Sequence, residues 1–307
     1  MAADDPLLGL RDSWRGDLVT LSTLGHPTPT LYHMDTSYYS QVVRLVMEEE
    51  GVAYSSRHLD IHGELGAWYL AVHPAGQVPT LIHQGRVVVE SRTIAMLVVE
   101  ELSSRHLLLP LDMRQRVLAM VDLHYAEADI EKLSFGTLLT SNRVMAMVVP
   151  RKARRELKAL EKMKKEHPEM KEVIENKIEM KKTQISGYEA PQELKDSALV
   201  KMVGLLDKLE VELGRSQGSF LCGGYTLADT LFTCTLARLV LSAVHPSPGW
   251  PWWASSPASW PPGPSWLPGG PPSPPGSPSQ GAAGTLCRGW ATREVYHNSY
   301  RIKIKCQ

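Results

Sequence analysis

The sequence predicts a mixed α/β domain followed by an all-α domain. Three observations carry this. Strand and helix signals run in the order βαβ-α-ββα across residues 30–110; strand signals then stop and amphipathic helical stripes take over; and after Leu241 the composition turns abruptly to Pro, Ser, Gly and Trp. The chain has 307 residues, room for about two domains.

Thr30-Leu31-Tyr32-His33 reads as a strand, and Ser37 as the cap of a helix carrying Val42, Leu45, Val46 and Glu49, stopped by Gly51. Residues 52–60 return as a second strand, so the unit implies parallel pairing with a right-handed crossover. A short irregular helix over residues 65–72 leads to a turn at Pro79. Strands over residues 80–83 and 86–89 follow, joined by the tight hairpin Gln84-Gly85. Ser91 opens a helix ending near Leu102. The layout is thioredoxin-like.

In the second domain Asp112 is expected to cap a long helix through Val117, Met120, Val121 and His124. Residues 151–183 are dense in charge, with one apolar stripe at Leu157, Leu160 and Met163 and another at Met170, Ile174 and Ile178. His167-Pro168 divides them, so the segment predicts a solvated helical hairpin; an acidic-partner or membrane-surface face is the other reading. Leu199, Met202, Leu206, Leu209 and Leu213 predict a helix ended by Gly214. Thr226 and Asp229 have capping-box spacing before Leu227, Leu231, Cys234 and Leu239, a folding element rather than a site. The expected organisation is a flexible arm over 1–29, the α/β domain over 30–110, the helical domain over 111–241 and a disordered tail over 242–307. Pro261/Pro264 and Pro268/Pro271 in that tail have polyproline spacing, though no Arg or Lys flanks them. Apolar surface is expected to lie exposed around Leu236, Leu239 and Leu241.

Lys plus Arg and Asp plus Glu both number 33, so no global charge favours nucleic acid or a membrane surface. Cys222, Cys234, Cys287 and Cys306 form no Cys-x-x-Cys pair, which fits free thiols in a reducing, cytoplasmic setting. His33, His58, His62, His73 and His83 are scattered without ligand spacing, so no metal is expected. Met1-Ala2-Ala3-Asp4-Asp5 lacks the basic and apolar regions of a signal peptide, and no stretch is long enough to predict a membrane span.

The most informative stretch is Gly76-Gln77-Val78-Pro79-Thr80-Leu81-Ile82, followed by Val88-Val89-Glu90-Ser91. A proline at a strand's first residue costs no ladder hydrogen bond, and a cis bond there would let Val78 offer its N–H and C=O to an extended peptide. Glu90 and Ser91 stand where a strand ends and a helix begins, where free N–H groups and the helix dipole attract a carboxylate. Taken singly, each piece also reads as ordinary architecture, a strand start and an N-cap. Together they describe a site for a small peptide with a free carboxylate, such as glutathione.

These residues resemble the glutathione transferase superfamily across roughly residues 30–241. The resemblance rests on Leu31-Tyr32-His33, Ser37-Tyr38-Tyr39-Ser40-Gln41-Val42-Val43-Arg44-Leu45, Gln77-Val78-Pro79-Thr80-Leu81, Glu90-Ser91 and Phe220-Leu221-Cys222-Gly223 with Thr226-Leu227-Ala228-Asp229. The charged insertion is similar to that of the ganglioside-induced differentiation-associated and tetrachlorohydroquinone dehalogenase groups. The resemblance implies a glutathione-dependent transferase, with glutathione as cosubstrate, no metal, a small electrophile as second substrate and a homodimer as one assembly; a non-catalytic module of the same fold is the alternative. It implies that Ser37 donates a hydrogen bond to the cysteinyl thiolate, with Tyr32, Tyr38 and Ser40 next in line. Gln77, Val78 and Pro79 would hold the peptide backbone, and Glu90 and Ser91 the γ-glutamyl end. Tyr39 stands where cysteine-using members carry a cysteine, which argues against chemistry that needs a protein thiol. The family continues beyond the Thr-Leu-Ala-Asp helix with packed helices where this chain has its Pro/Trp segment, and the acceptor pocket is expected to be incomplete. The ganglioside-associated group also ends in a hydrophobic anchor, and no such segment is read here.

Overall fold

The structure is a computed structural model that describes residues 28–63, 65–141, 143–216, 219–241, 293–297 and 300–304. The α/β domain holds β1 (Thr30–His33), α1 (Tyr38–Glu50), β2 (Ser55–His58), α2 (Ala67–Val72), β3 (Thr80–His83), β4 (Arg86–Val89) and α3 (Ser91–Leu97), which runs into a π-helical turn, Val98–Leu102. The helical domain holds α4 (Arg114–Glu127), α5 (Ile130–Ser141), α6 (Arg143–Glu166), α7 (Lys171–Tyr188), α8 (Gln192–Ser216) and α9 (Leu227–Leu241).

The four strands form one mixed sheet in the order β2-β1-β3-β4. β1 pairs parallel with β2, as the βαβ reading requires, and antiparallel with β3, which pairs antiparallel with β4. Gln84 and Gly85 at the β3–β4 turn both have positive φ, 48° and 73°, the conformation of a two-residue hairpin whose twist matches its strands. Gly51 ends α1 in the left-handed conformation, and its N–H bonds the carbonyls of Met47 and Glu48. Leu31, Val42, Val43, Val46, Met47 and Leu81 bury one sheet face against α1 and α3, and the same core continues into α4, α8 and α9 through Val117, Met202, Leu205 and Phe232. The two domains therefore share a core.

At the start of α9, Asp229 accepts from the N–H and hydroxyl of Thr226 at 2.9 and 2.8 Å and from the Leu221 N–H at 3.0 Å. This is the expected capping role, extended to hold the preceding turn.

Several boundaries differ from expectation. β2 is four residues long within the nine predicted. Asp112 does not cap α4; Met113 occupies the cap without a side-chain bond, and Asp112 is exposed in the turn before it. Gly214 lies inside α8, which ends at Ser216, because a glycine without a Cβ contact there is tolerated in a helix. The charged hairpin begins at Arg143 and carries Pro150 inside α6. Its two stripes meet: Leu160, Met170, Ile174 and Ile178 pack with Leu70 of α2. One face of the hairpin is therefore docked on the α/β domain rather than solvated.

Leu239 is 7% exposed and Leu236 is packed at the edge of the core, so these two are covered where exposure was expected; the Leu241 side chain lies outside what the structure describes. The polyproline pairs and most of the segment after Leu241 lie outside the described residues. Where the chain is described, β5 (Arg293–His297) pairs antiparallel with β6 (Tyr300–Ile304), a departure from a tail without regular structure.

Candidate functional site

The pairings Thr80↔Val89, Tyr32↔Thr80 and His33↔His58 put the C-terminal ends of β1, β2 and β4 and the start of β3 at one end of the sheet. The segments beyond that end are residues 34–37, 59–63, 65–66, 76–79 and 90–91. Every site residue expected from sequence lies on them, gathered at the strand ends where open α/β sheets bind ligands.

Ser37 is the N-cap of α1, with extended backbone. Its Oγ accepts from the Ser40 N–H at 3.3 Å, which leaves its own proton to donate elsewhere. The segment before it is fastened from two domains. The Arg44 guanidinium bonds Asp35 Oδ1 at 2.9 Å, the Gln41 amide donates to the Asp35 carbonyl at 2.8 Å, and Arg238 of α9 donates to the Thr36 carbonyl at 2.8 Å. The other candidate hydroxyls are occupied or buried. Tyr38 Oη lies 3.0 Å from His124 Nε2 and 2.9 Å from Thr235 Oγ1, Ser40 Oγ accepts from the Met34 N–H at 3.4 Å, and Tyr32 is 3% exposed. Burial pushes the Tyr39 phenol up to about 12, so it stays protonated at neutral pH.

The Val78–Pro79 peptide bond is cis, as the turn predicts. The Val78 side chain packs inward against Met34, Leu59 and Tyr69, and Gln77 is exposed. Tyr69 of α2 donates to the Gln77 carbonyl at 2.6 Å and lies 2.8 Å from Thr80 Oγ1, which His73 Nδ1 approaches at 3.1 Å. Lys177 of α7 donates to the carbonyls of Ala75 and Gly76 at 2.6 and 3.1 Å. Gly76 has φ +55°, and a Cβ there would meet Leu70 Cδ2 at 2.8 Å, so the turn admits little else. The segment is thus held from both sides by side chains whose roles the sequence did not reveal.

Glu90 precedes α3 with φ 68°, outside the ordinary range for a residue with a side chain, and is exposed. Backbone strain of this kind concentrates at functional sites. Ser91 is 5% exposed, and its hydroxyl lies 3.2 Å from Tyr125 Oη of α4. The helical domain therefore reaches Ser91 through Tyr125 and the segment before Ser37 through Arg238.

A cleft of about 180 Å³ opens beside the turn, between Ile61, Gly63 and Leu65 on one side and the charged hairpin on the other; Gln77, His62, Glu156, Lys177 and Lys181 are among its walls. Lys181 bonds Glu156 at 2.6 Å and His62 stands 3.3 Å from the same carboxylate. His33, His62 and His73 thus have protein partners of their own; His33 lies 2.6 Å from Ser56 Oγ.

Two buried imidazoles make the fold acid-sensitive. Burial holds His124 down to about 4, and burial with the Arg44 charge holds His33 down to about 4. Both bind a proton less readily folded than unfolded, so the unfolded chain gains protons first as pH falls. Their contribution is intact above the ordinary histidine value, is lost progressively from about 6.5 toward 4, and is constant below. Each shift is worth up to about 3 kcal/mol at full effect. Chemical unfolding at successive pH values should show this decline, and His124→Gln should flatten it by about half; a variant that keeps the parent's slope contradicts the assignment.

Residues 31–105 match the family described as glutathione S-transferase, N-terminal domain. The human protein ganglioside-induced differentiation-associated protein 1-like 1 is 26% identical over 237 residues, covering 68% of this chain and 63% of that protein. Glutathione S-transferase U8 of Arabidopsis thaliana is 28% identical over 95 residues, 31% of this chain and 42% of that one. The chain thus spans less than two thirds of the length of these relatives. A solved structure of a β-etherase from Sphingobium shares the fold, with a TM-score of 0.50 and 22% identity over 72% of this chain and 86% of that one.

Proposed function

We propose that the chain, which belongs to the glutathione transferase superfamily through its N-terminal domain and resembles the ganglioside-induced differentiation-associated group within it, binds glutathione at the sheet end and joins it through its thiolate to a small electrophile. The observation that carries this reading is the gathering of Ser37, the Gln77-Val78-Pro79 turn and Glu90-Ser91 beyond one end of the sheet.

In this reading the cysteinyl residue of glutathione pairs with the Val78 backbone. The γ-glutamyl carboxylate accepts from Ser91 and the α3 N-terminus, and the Glu90 carboxylate receives the γ-glutamyl ammonium. The Ser37 hydroxyl, its acceptor side already taken by the Ser40 N–H, donates to the sulfur. That bond and the positive end of α1 favour thiolate over thiol. The thiol proton passes to solvent, the thiolate attacks the electrophilic carbon, and the leaving group departs with the electron pair of the broken bond. Among the described residues no thiol is placed to take part: Cys222 and Cys234 are free but buried, and Cys234 is held up to about 12 by burial. Free thiols fit a cytoplasmic setting. Among the described residues no helix is long and apolar enough to cross a membrane. A homodimer is the assembly this reading carries, to be checked by light scattering.

Calorimetric titration with glutathione, paired with turnover of a generic aryl halide, tests the proposal. Saturable binding with turnover is expected. Binding without turnover would support the alternative, a glutathione-binding module without catalysis, and no binding at millimolar glutathione would overturn both.

A further inference from the structure

We propose that the outward face of α6 docks on an anionic membrane surface, with Val144, Met147 and Val148 entering the headgroup layer and Arg151, Arg155 and Lys158 on the lipid phosphates. The inference does not depend on the glutathione reading.

The sequence of α6 sorts its side chains by face. Val144, Met147, Val148, Arg151, Arg155 and Lys158 follow one another at helical spacing, so they share one stripe, and all six are exposed. Ala153 and Leu160 fall on the opposite face and are 4% and 3% exposed, and Leu160 packs with Leu70 and α7. The docked side of the hairpin is therefore held without the stripe. A helix face that only met water would be polar throughout. This one begins apolar: Val144, Met147 and Val148 are 60%, 52% and 47% exposed. Among the described residues nine large apolar side chains are exposed, and three of them fall within these five positions. Single exposed apolar residues are ordinary, whereas a cluster marks a contact surface.

The charge is segregated in the same place. Cations and carboxylates balance over the whole chain, yet α6 carries nine Lys or Arg against three Glu. Those three are committed: Glu156 to Lys181, Glu161 to Lys164 and Glu166 to Lys162. Arg154 pairs with Glu189. Among the described residues no carboxylate pairs with Arg151, Arg155 or Lys158. From Val144 to Lys158 the stripe runs about 21 Å, apolar end first and cations after.

Complementarity selects the partner. The cations call for an array of anions, and the valines and methionine call for an apolar phase directly beneath it. An anionic bilayer presents both within the depth of one side chain. Single-stranded nucleic acid is met by aromatic rings among the cations, and these six residues include none. An acidic polypeptide would match the cations and leave the apolar end in water.

The test is co-sedimentation of the full chain with vesicles of phosphatidylcholine alone or with about one third phosphatidylserine, at about 0.1 and 0.5 M salt. Binding is expected only to the anionic vesicles, and weaker at the higher salt. Arg151→Gln/Arg155→Gln/Lys158→Gln should lower the partition coefficient about a hundredfold, three cations' worth at about fivefold each. Val144→Ser/Met147→Ser/Val148→Ser should lower it about tenfold or more and leave the salt dependence in place. Lys171→Gln/Lys182→Gln/Lys201→Gln removes three exposed cations from other faces and should stay within a few-fold of the parent. Equal binding to neutral and anionic vesicles, or a loss in this control as large as in the stripe variant, overturns the inference. So does binding that survives either stripe variant, and so does retention on immobilised polyglutamate without vesicle binding, which would assign the face to an acidic protein. All six stripe residues are exposed, and circular dichroism checks that the variants fold; should a triple fail to fold, Arg155→Gln and Met147→Ser singly carry the same comparison, with a loss of about fivefold each expected and no loss in either contradicting the stripe.

Discussion

Ser37→Ala should slow conjugation about ten- to a hundredfold while leaving glutathione affinity within a few-fold of the parent. The hydroxyl acts on the sulfur, and one lost charge-assisted hydrogen bond is worth about 1.5–3 kcal/mol. The substitution also removes the cap acceptor for the Ser40 N–H, which costs about 1 kcal/mol of stability. Rate and melting temperature must therefore be measured together. Ser37→Thr keeps both functions and should retain most of the rate. An unchanged rate in a folded Ser37→Ala protein would move the thiolate donor elsewhere. Ser40 and Tyr38 are poorly placed for that, being tied to Met34 and to His124 and Thr235.

Glu50→Ala should cost the fold about 3 kcal/mol or more. Glu50 closes α1 and is 1% exposed. Its carboxylate accepts from the Ser103 hydroxyl at 2.6 Å and from the N–H groups of Leu107 and Leu108 at 3.1 and 2.7 Å. The Leu108 carbonyl in turn accepts from the Leu227 N–H at the first residue of α9, at 2.8 Å. One buried carboxylate thus ties α1 to the interdomain connection, and that connection to the helix that carries Arg238 to the site. Alanine strands donors in a buried environment. Glutamine keeps one carbonyl acceptor and should lose roughly half as much. Denaturant unfolding reads both; a loss below about 1 kcal/mol for alanine would show that water replaces the carboxylate.

What could be read from the sequence was what local chemistry dictates. Thr30–His33, Thr80–His83 and Arg86–Val89 fall where their strand signals and turn residues placed them, because Gln84-Gly85 and Pro79 leave few other registers. Ser37 caps α1 because a hydroxyl before an apolar-periodic run has that job. The capping pair Thr226 and Asp229 was legible for the same reason. Contacts made across long sequence separations were not. Tyr69, Lys177, Tyr125 and Arg238 reach the site from α2, α7, α4 and α9, and nothing near them in sequence says so. Glu50 left a usable sign: it shares a helix face with Val42, Val43, Val46 and Met47, and a carboxylate on a buried face needs partners. The hairpin over α6 and α7 was legible as two stripes. That those stripes close on Leu70 depends on the shape of α2, which charge density could not report.

The structure of the glutathione complex tests the central claim most directly. The account predicts the cysteinyl N–H and C=O paired with the Val78 backbone, the sulfur within hydrogen-bond distance of Ser37 Oγ, and the γ-glutamyl carboxylate on Ser91 and the first N–H groups of α3. Glutathione seated away from the cis-Pro79 turn, or with its sulfur out of reach of Ser37, would contradict it.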